Sequence, residues 1–341
     1  MHNLFSIRPR AIAIAAVSVL SFGALSISAN AQEPGTTEFS GMIFLNGSQQ
    51  EPANGNDNFN VDLKRFFLNV NHQFSSDWSM HVTTDFQWQR YQDPSDPILR
   101  HFYVQKKISD TMRVRIGNAP TPWILPIAQL NGYRYLDPGL LPRAGHGAPA
   151  DYGVHLEGET GDFGYAVAAI TGGGFQKPRL GDSVDFEGRV YWQPLEGLRV
   201  HLGAYRGTLT QDKDDRPKIH TAERWNSAIT YNQGKWRAGA QYFYANNWRR
   251  VSLPTEDAAS GYSLWGSYQL NANYAIALRH DLTTPSRRLD STREIEYYSA
   301  ALEWRYNPKL RFSAVLKHVN NSNNASRAIN NEFGIWSQIV F

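Results

Sequence analysis

The chain has 341 residues, with 34 lysines and arginines, 31 aspartates and glutamates, and no cysteine. The lack of cysteine excludes disulfide and thiol chemistry. The near-balance of charge argues against nucleic acid or an acidic surface as the main partner. Mean hydropathy is −0.48, although 13% of the residues are aromatic, and after residue 31 no apolar run has the length of a transmembrane helix.

Residues 1–31 have the pattern of a cleaved export signal. Arg8 and Arg10 form a charged segment, Ala11–Leu25 is an apolar run, and Ser28–Ala31 supplies an A-x-A cleavage site. We expect the mature chain to start at Gln32, so that residues 32–341 form one domain. Without the signal, the chain has 32 basic and 31 acidic residues.

Alternation of apolar and polar residues predicts an all-β protein of sixteen antiparallel strands. In one segment, Trp78 and Phe86 share a face while His81 and Asp85 share the opposite face. In an exported chain this pattern is typical of an outer-membrane β-barrel, whose strands turn apolar residues to lipid and polar residues to the lumen. A barrel of this width contains an aqueous channel. The predicted strands are 39–47, 61–74, 78–90, 98–108, 112–118, 150–160, 163–172, 184–194, 198–209, 223–232, 236–247, 260–270, 274–284, 294–306, 310–320 and 330–341.

The connections between the strands alternate between short and long. Short periplasmic turns at one end and long external loops at the other are typical of outer-membrane barrels, and a soluble β-sandwich would not need this asymmetry. The longer connections include 49–60, 210–221 and 249–260. The predicted tight turns are 75–77, 109–111, 161–162, 194–197, 232–235, 271–273 and 307–309.

Aromatic residues cluster near the predicted strand ends, where amphipathic rings form girdles at the level of the lipid headgroups. Some of these rings could instead pack between protomers. The last strand alternates apolar residues up to Phe341, which resembles the C-terminal signal of outer-membrane barrels. The clustered aromatic residues are Trp78, Trp236, Tyr242, Tyr244, Tyr274, Tyr298, Trp304 and Tyr306.

Several blocks of the sequence resemble the phosphate-selective porin family (porin O and P). They are K-R-F-F-L-N-V-N-H-Q-F-S-S-D-W at Lys64–Trp78, T-T-D-F at Thr83–Phe86, V-R-I-G-N-A-P-T-P-W at Val114–Trp123, A-D-Y-G-V-H-L-E-G at Ala150–Gly158 and G-R-V-Y-W-Q-P-L-E-G-L-R at Gly188–Arg199. The resemblance implies a homotrimer of sixteen-stranded channels whose third long loop folds into the lumen.

The segment Asn118–Ala148 is the third long connection and has neither a period of 2 nor one of 3.6. Its five prolines and many aromatic residues suggest a packed functional loop rather than a disordered one. We expect its apolar residues Trp123, Ile124, Leu125, Ile127 and Leu130 to pack on the inner wall of the barrel. An external lid or a subunit contact is the alternative. The polar residues predicted to line the constriction are Gln129, Asn131, Tyr133, Arg134, Tyr135, Asp137, Arg143 and His146.

Four predicted strands open with an arginine between two apolar residues directly after a tight turn, as in Met112-Arg113-Val114. If the apolar neighbours face lipid, these arginines form a ring in the lumen that favours anions. Lumen acids such as Glu157 and Glu303 could neutralise them pairwise, so this point stays open. The predicted ring consists of Arg113, Arg115, Arg199, Arg237, Arg305 and Arg311. Further basic residues predicted to face the lumen are Arg65, Arg189, Arg224, Arg279 and Lys317.

These features predict a porin of the bacterial outer membrane, in contact with its lipid, for passive diffusion of small hydrophilic solutes. A leaning towards anions makes phosphate or small organic acids candidate solutes. The absence of lysine between Asn118 and Ala148 argues against specialised phosphate uptake. Sugars are a further class of candidate solute. A non-conducting barrel that acts as an adhesin, receptor or scaffold is the alternative.

An enzyme is not predicted, because His81, His155 and His201 are expected on separate strands without a catalytic arrangement. The sequence therefore predicts no catalytic residue, no metal, no cofactor and no nucleic-acid partner.

Overall fold

The structure is a computed structural model that describes residues 33–88, 97–176 and 181–341. Within these residues, sixteen antiparallel strands pair with their neighbours in chain order, and the first pairs with the last to close a barrel. The sixteen-stranded barrel predicted from the sequence is confirmed. The predicted export signal at 1–31 and the end of the predicted strand 78–90 lie outside the described residues.

The strands differ from the predicted ones only at their ends. They are β1 (Thr37–Glu51), β2 (Asn58–Gln73), β3 (Trp78–Trp88), β4 (Ile98–Ser109), β5 (Met112–Pro120), β6 (Ala150–Thr160), β7 (Phe163–Ile170), β8 (Asp185–Leu195), β9 (Leu198–Gly207), β10 (Ala222–Gln233), β11 (Trp236–Asn246), β12 (Ala258–Gln269), β13 (Tyr274–Thr284), β14 (Glu294–Asn307), β15 (Leu310–Ser322) and β16 (Arg327–Val340).

The connections at one end of the barrel have two to four residues, whereas one at the other end runs from 121 to 149. Three of the short turns contain glycines with positive φ, Gly161 at 56°, Gly197 at 79° and Gly234 at 60°. Only glycine adopts this conformation without steric cost, and it matches the twist of tight hairpins.

The strands alternate between the lumen and the outside as the sequence predicted. In β16, the lumen-facing Trp336 is fully buried, while its neighbour Ile335 is 51% exposed on the outer surface. Apolar residues on the outside and polar residues inside are the pattern of a barrel that is surrounded by lipid and filled with water.

The connection 121–149, called the lumen segment below, contains two short helices that were not predicted: α1 (Ile124–Asn131) and α2 (Leu140–Ala144). Pro126 lies in the first turn of α1, where a missing N–H costs nothing. Gly132 and Gly145 end the two helices with φ values of 80° and 75°. Among the described residues, no helix has the length and apolar content needed to cross a membrane.

Two apolar clusters bind the lumen segment to the inner surface of the barrel. Tyr133, Tyr135 and Leu136 pack in one of them on Phe44, Phe67 and Trp336 of β1, β2 and β16. The other lies against β10, β11 and β12, with Leu130 packed at its edge. Its buried residues are Trp123, Ile124, Ile127, Leu140, Leu141, Ala228, Phe243, Ala245 and Ala259.

Gly203 of β9 leaves the space that Trp123 fills, because a Cβ at this position would collide with the indole ring. We therefore expect Gly203→Ala to displace Trp123 and to destabilise the barrel by about 1–3 kcal/mol, the usual cost of overpacking. The matched control is Gly188→Ala on β8, where the new Cβ would lie 3.7 Å from Cγ1 of Val167. The measurement is the midpoint of thermal unfolding in detergent for the wild type and the two variants. Equal midpoints for the two variants would contradict the role of Trp123.

Candidate functional site

A cavity of about 770 Å³ lies between the lumen segment and the surrounding strands and loops. It is called the lumen cavity below. Its lining is rich in charged side chains, which makes it the candidate site for polar or charged solutes. These side chains are Lys64, Arg65, Arg100, Arg134, Asp137, Asp151, Glu187, Arg224 and Arg249.

Three arginines on one side of the lumen cavity, Arg65, Arg100 and Arg134, form what we call the basic cluster. Oδ2 of Asp85 accepts hydrogen bonds from Nη1 of Arg65 at 2.7 Å and from Nη1 of Arg100 at 3.0 Å. The Arg100 and Arg134 guanidinium groups lie 5.1 and 5.0 Å from the centre of the Phe67 ring. Arg65 and Arg100 therefore share one carboxylate, and Arg100 and Arg134 share one aromatic ring.

Arg134 adds a positive charge to the basic cluster that no nearby carboxylate in the described part of the chain balances. Within the described residues, no carboxylate lies within 4 Å of its guanidinium group, unlike those of Arg65 and Arg100. Burial, together with the nearby charges of Arg100 and Arg65, lowers the pKa of Arg134 well below its usual value. Like charges held this close to each other favour the entry of an anion.

Three of the cavity cations were not assigned to the lumen from the sequence. Arg249 lies in the connection between β11 and β12, whereas Arg100 and Lys64 each lie at a β-bulge. The register shifts at Arg100, since Leu99 pairs with Thr84 and His101 pairs with Thr83. Lys64 is the extra residue of a similar shift between β1 and β2. A bulge breaks the period-2 rule and turns a side chain to an unexpected face, and no local sequence signal marks either position.

Lumen-facing cations that were predicted to attract anions instead hold the lumen segment by its backbone carbonyls. Arg189 Nε donates to the oxygen of Pro122 at 2.7 Å, and Lys317 Nζ donates to the oxygen of Leu136 at 2.9 Å. Arg224 donates in the same way to the oxygen of His146. Charged donors form strong hydrogen bonds, so these contacts fix the segment across the lumen.

Asp137 of the lumen segment belongs to a buried group of alternating charges. Its Oδ1 accepts from Arg279 Nη1 at 2.9 Å, and Arg279 also donates to Asp281 at 2.8 Å. Arg143 closes the group by pairing with Asp281 and lies 3.4 Å from the centre of the Tyr297 ring. Burial disfavours the charged carboxylate, but Arg143, Arg279 and Lys317 outweigh it and hold the pKa of Asp137 below its usual range.

Tyr133 and Tyr135, which were predicted to line the passage, are 7% and 2% exposed in the apolar cluster with Phe44 and Trp336. The Tyr135 hydroxyl donates to Oε2 of Glu303 at 2.8 Å. These two residues anchor the segment to the wall.

Of the other residues predicted at the constriction, Gln129 and Asn131 are half-buried on α1. His146 is buried between Phe243 and Trp248, and burial lowers its pKa to about 4, which keeps it neutral at pH 7. The predicted constriction residues that line the lumen cavity are Arg134, Tyr135 and Asp137.

Four of the six arginines of the predicted ring share two glutamates. Arg113 and Arg115 both pair with Glu157. In the same way Arg305 and Arg311 pair with Glu303, at 2.5 and 3.2 Å.

The remaining ring members have other neighbours. Arg199 donates to the amide oxygen of Gln193 at 2.7 Å. The guanidinium group of Arg237 lies so close to Gly132 that a Cβ there would collide with it, and Arg311 donates to the oxygen of the same glycine at 3.1 Å. The ring therefore keeps four positive charges beyond its two glutamates, and part of it contacts the lumen segment.

No protein-family model matches the chain, and no curated protein matches it. Its fold is similar to that of solved outer-membrane structures. The anion-selective porin from Comamonas acidovorans is 12% identical, with a TM-score of 0.65 over 90% of this chain and 100% of that chain. OmpTdeltaL8, a loop-deletion mutant of an outer-membrane protein of Vibrio cholerae, is 15% identical, with a TM-score of 0.63 over 91% and 100%. Salmonella typhi OmpF, solved in complex with daunomycin, is 11% identical, with a TM-score of 0.63 over 89% and 98%.

We expect Asp137→Asn to weaken the attachment of the lumen segment to β13, because Arg279 loses one of its two charged partners. At pH 7 the loss of this hydrogen bond should cost about 1.5–3 kcal/mol. Since the folded pKa of Asp137 is lowered, its contribution is fully present above the ordinary aspartate pKa of about 4 and fades as pH falls below it. Thermal unfolding and limited proteolysis at pH 7 and pH 3 measure both effects.

The matched control for this prediction is Asp214→Asn, in an exposed part of an external loop. A difference between wild type and Asp137→Asn that does not shrink at pH 3 would contradict the assigned role of the charge. So would equal protease resistance of Asp137→Asn and Asp214→Asn at pH 7.

Proposed function

We propose that this protein is a bacterial outer-membrane porin for the passive diffusion of small hydrophilic solutes. The observation that carries the proposal is the charged lumen cavity of about 770 Å³ inside a closed sixteen-stranded barrel. A barrel of this strand number is wide enough for water, and the lumen segment narrows it. The similarity in fold to solved porins supports the same function.

We further propose a leaning towards anions, with phosphate or small organic acids as candidate solutes. In the basic cluster, Arg65 and Arg100 share the carboxylate of Asp85 and Arg134 adds a third positive charge. In the ring, four of the six arginines share two glutamates. Excess positive charge along a narrow passage raises the local concentration of anions. One of the structures with a similar fold is described as an anion-selective porin.

A homotrimer is part of the proposal. One solved structure with a similar fold, an OmpT of Vibrio cholerae that is 14% identical and has a TM-score of 0.59, is described as a trimer form.

Planar-bilayer recording separates the proposed porin from the alternative of a non-conducting adhesin, receptor or scaffold. The purified protein should produce stepwise openings, because the lumen cavity is polar and wide enough for hydrated ions, and these should disappear after boiling. A folded protein that never conducts would contradict the porin and favour the alternative.

We expect Arg134→Ala to reduce the permeability ratio of chloride to potassium by about twofold or more, because it removes the unpaired charge of the basic cluster. The measurement is the reversal potential across a KCl gradient. Arg216→Ala is the control, since Arg216 lies in an external loop with 75% of its side chain exposed. If wild type prefers cations, or if both variants shift the potential equally, the basic cluster does not set the selectivity.

A further inference from the structure

The lumen segment presents an apolar surface to the lumen cavity. Leu125, Ala128, Pro138, Pro142 and Pro149 all line this cavity, and we call these five residues the apolar shelf. Leu125 and Ala128 belong to neither of the two apolar clusters of described residues that bind the segment to the wall. Pro138 is exposed. One side of the passage is therefore bordered by apolar side chains.

The three prolines of the apolar shelf leave few hydrogen-bonding groups for a solute. Proline has no backbone N–H, and the side chains of proline, leucine and alanine carry no donor or acceptor. A sugar that moves along this surface gives up hydrogen bonds to water and gains few in return. An apolar ring does not have this cost, because its contact with the shelf removes apolar surface from water.

The apolar shelf lies close to the basic cluster, because Pro138 follows Arg134 by four residues. The Cα atoms of these two residues are therefore at most about 14 Å apart. The turn between them is fixed, since the Gly139 N–H donates to Oδ1 of Asp137 at 2.9 Å and Asp137 is held by the buried group of charges described above. A guanidinium group and an apolar surface thus stand at a set distance that one small molecule can span.

The guanidinium groups of the basic cluster lie against aromatic rings. The guanidinium carbon of Arg100 is 5.1 Å from the centres of the Phe67 and Phe175 rings, and that of Arg134 is 5.0 Å from the centre of the Phe67 ring. A guanidinium group stacked in this way keeps its N–H donors at its edge, in the plane where a carboxylate accepts two of them. Phe175 also lines the lumen cavity, so a second apolar surface borders these cations.

The acidic residues that line the lumen cavity are engaged by groups other than the basic cluster. Glu187 accepts from Nη2 of Arg224 at 2.7 Å, and Asp151 accepts from the Thr171 hydroxyl at 2.7 Å. Asp137 belongs to the buried group of alternating charges. A negatively charged solute therefore meets positive charge beside an apolar surface.

We infer that the lumen cavity selects carboxylates that carry an apolar ring, such as benzoate. The carboxylate accepts hydrogen bonds from Arg134 in the basic cluster, and the ring lies on Pro138 and its neighbours in the apolar shelf. The inference rests on the proposed porin function and narrows its solutes from small organic acids in general to one class. Phosphate and acetate meet the same cations, but they have little or no apolar surface to place on the shelf.

Block of the potassium chloride current through the protein in a planar bilayer at pH 7 measures binding in the passage. Acetate and benzoate carry the same charge at this pH, so a comparison of their half-blocking concentrations isolates the effect of the ring. We expect benzoate to half-block the wild-type current at a concentration about tenfold or more below that of acetate, because the shelf removes the ring from water.

Substitutions locate the effect. Pro138→Ser removes apolar surface and should lower the ratio of the acetate to the benzoate concentration to about threefold or less, whereas Pro138→Leu keeps that surface and should preserve the ratio. Pro254→Ser is the matched control, because Pro254 is exposed in an external loop and does not line the lumen cavity. Arg134→Ala should raise both half-blocking concentrations, because it removes the partner that the two anions share.

Failure of this inference differs from failure of the proposed porin function. Equal half-blocking concentrations of acetate and benzoate for the wild type would overturn the selected class while leaving a conducting porin. The inference would also be wrong if Pro138→Ser and Pro254→Ser gave the same ratio, or if Pro138→Ser and Pro138→Leu lowered it equally. A folded protein that never conducts would overturn both the porin and the inference.

Discussion

Closure of the sheet is the constraint on which the rest of the structure depends. The first and last strands join through ten residue pairs, from Met42 with Val340 to Glu51 with Asn331. In lipid, an unpaired strand edge would leave backbone N–H and C=O groups without partners at a cost of several kcal/mol each. A closed sheet of sixteen strands is too wide for its own side chains to fill, so the interior needs another element.

The lumen segment is that element, and its backbone explains why several lumen cations lie where they do. A chain that crosses a water-filled barrel carries carbonyl groups with no strand to pair with. Arg189, Arg224, Arg311 and Lys317 satisfy four of them. Arg189, Arg311 and Lys317 hold the segment in this way, whereas the basic cluster lines the cavity. Arg224 does both, since it lines the cavity and donates to the carbonyl of His146.

The period-2 pattern was enough to predict the strands, their number and the lumen segment, because each strand face meets a uniform environment. The two helices escaped prediction because prolines within them hide their periodicity, although Gly132 and Gly145 are ordinary helix ends. Arg100 escaped because a bulge turns it inward. The sharing of Glu157 by Arg113 and Arg115 depends on cross-strand register, which alternation along one strand does not contain.

The strand β2 carries apolar side chains on both of its faces. In the run Phe66-Phe67-Leu68, the first and third residues face outward and the second packs under Tyr135 in the lumen. In the finished barrel both faces are covered, one by the lumen segment and one by the surface outside. Before the barrel closes, neither cover exists. The unfolded chain then exposes a two-sided apolar strand, the kind of segment that pairs readily with other chains. Closure of the barrel is therefore what withdraws this strand from contact with other chains.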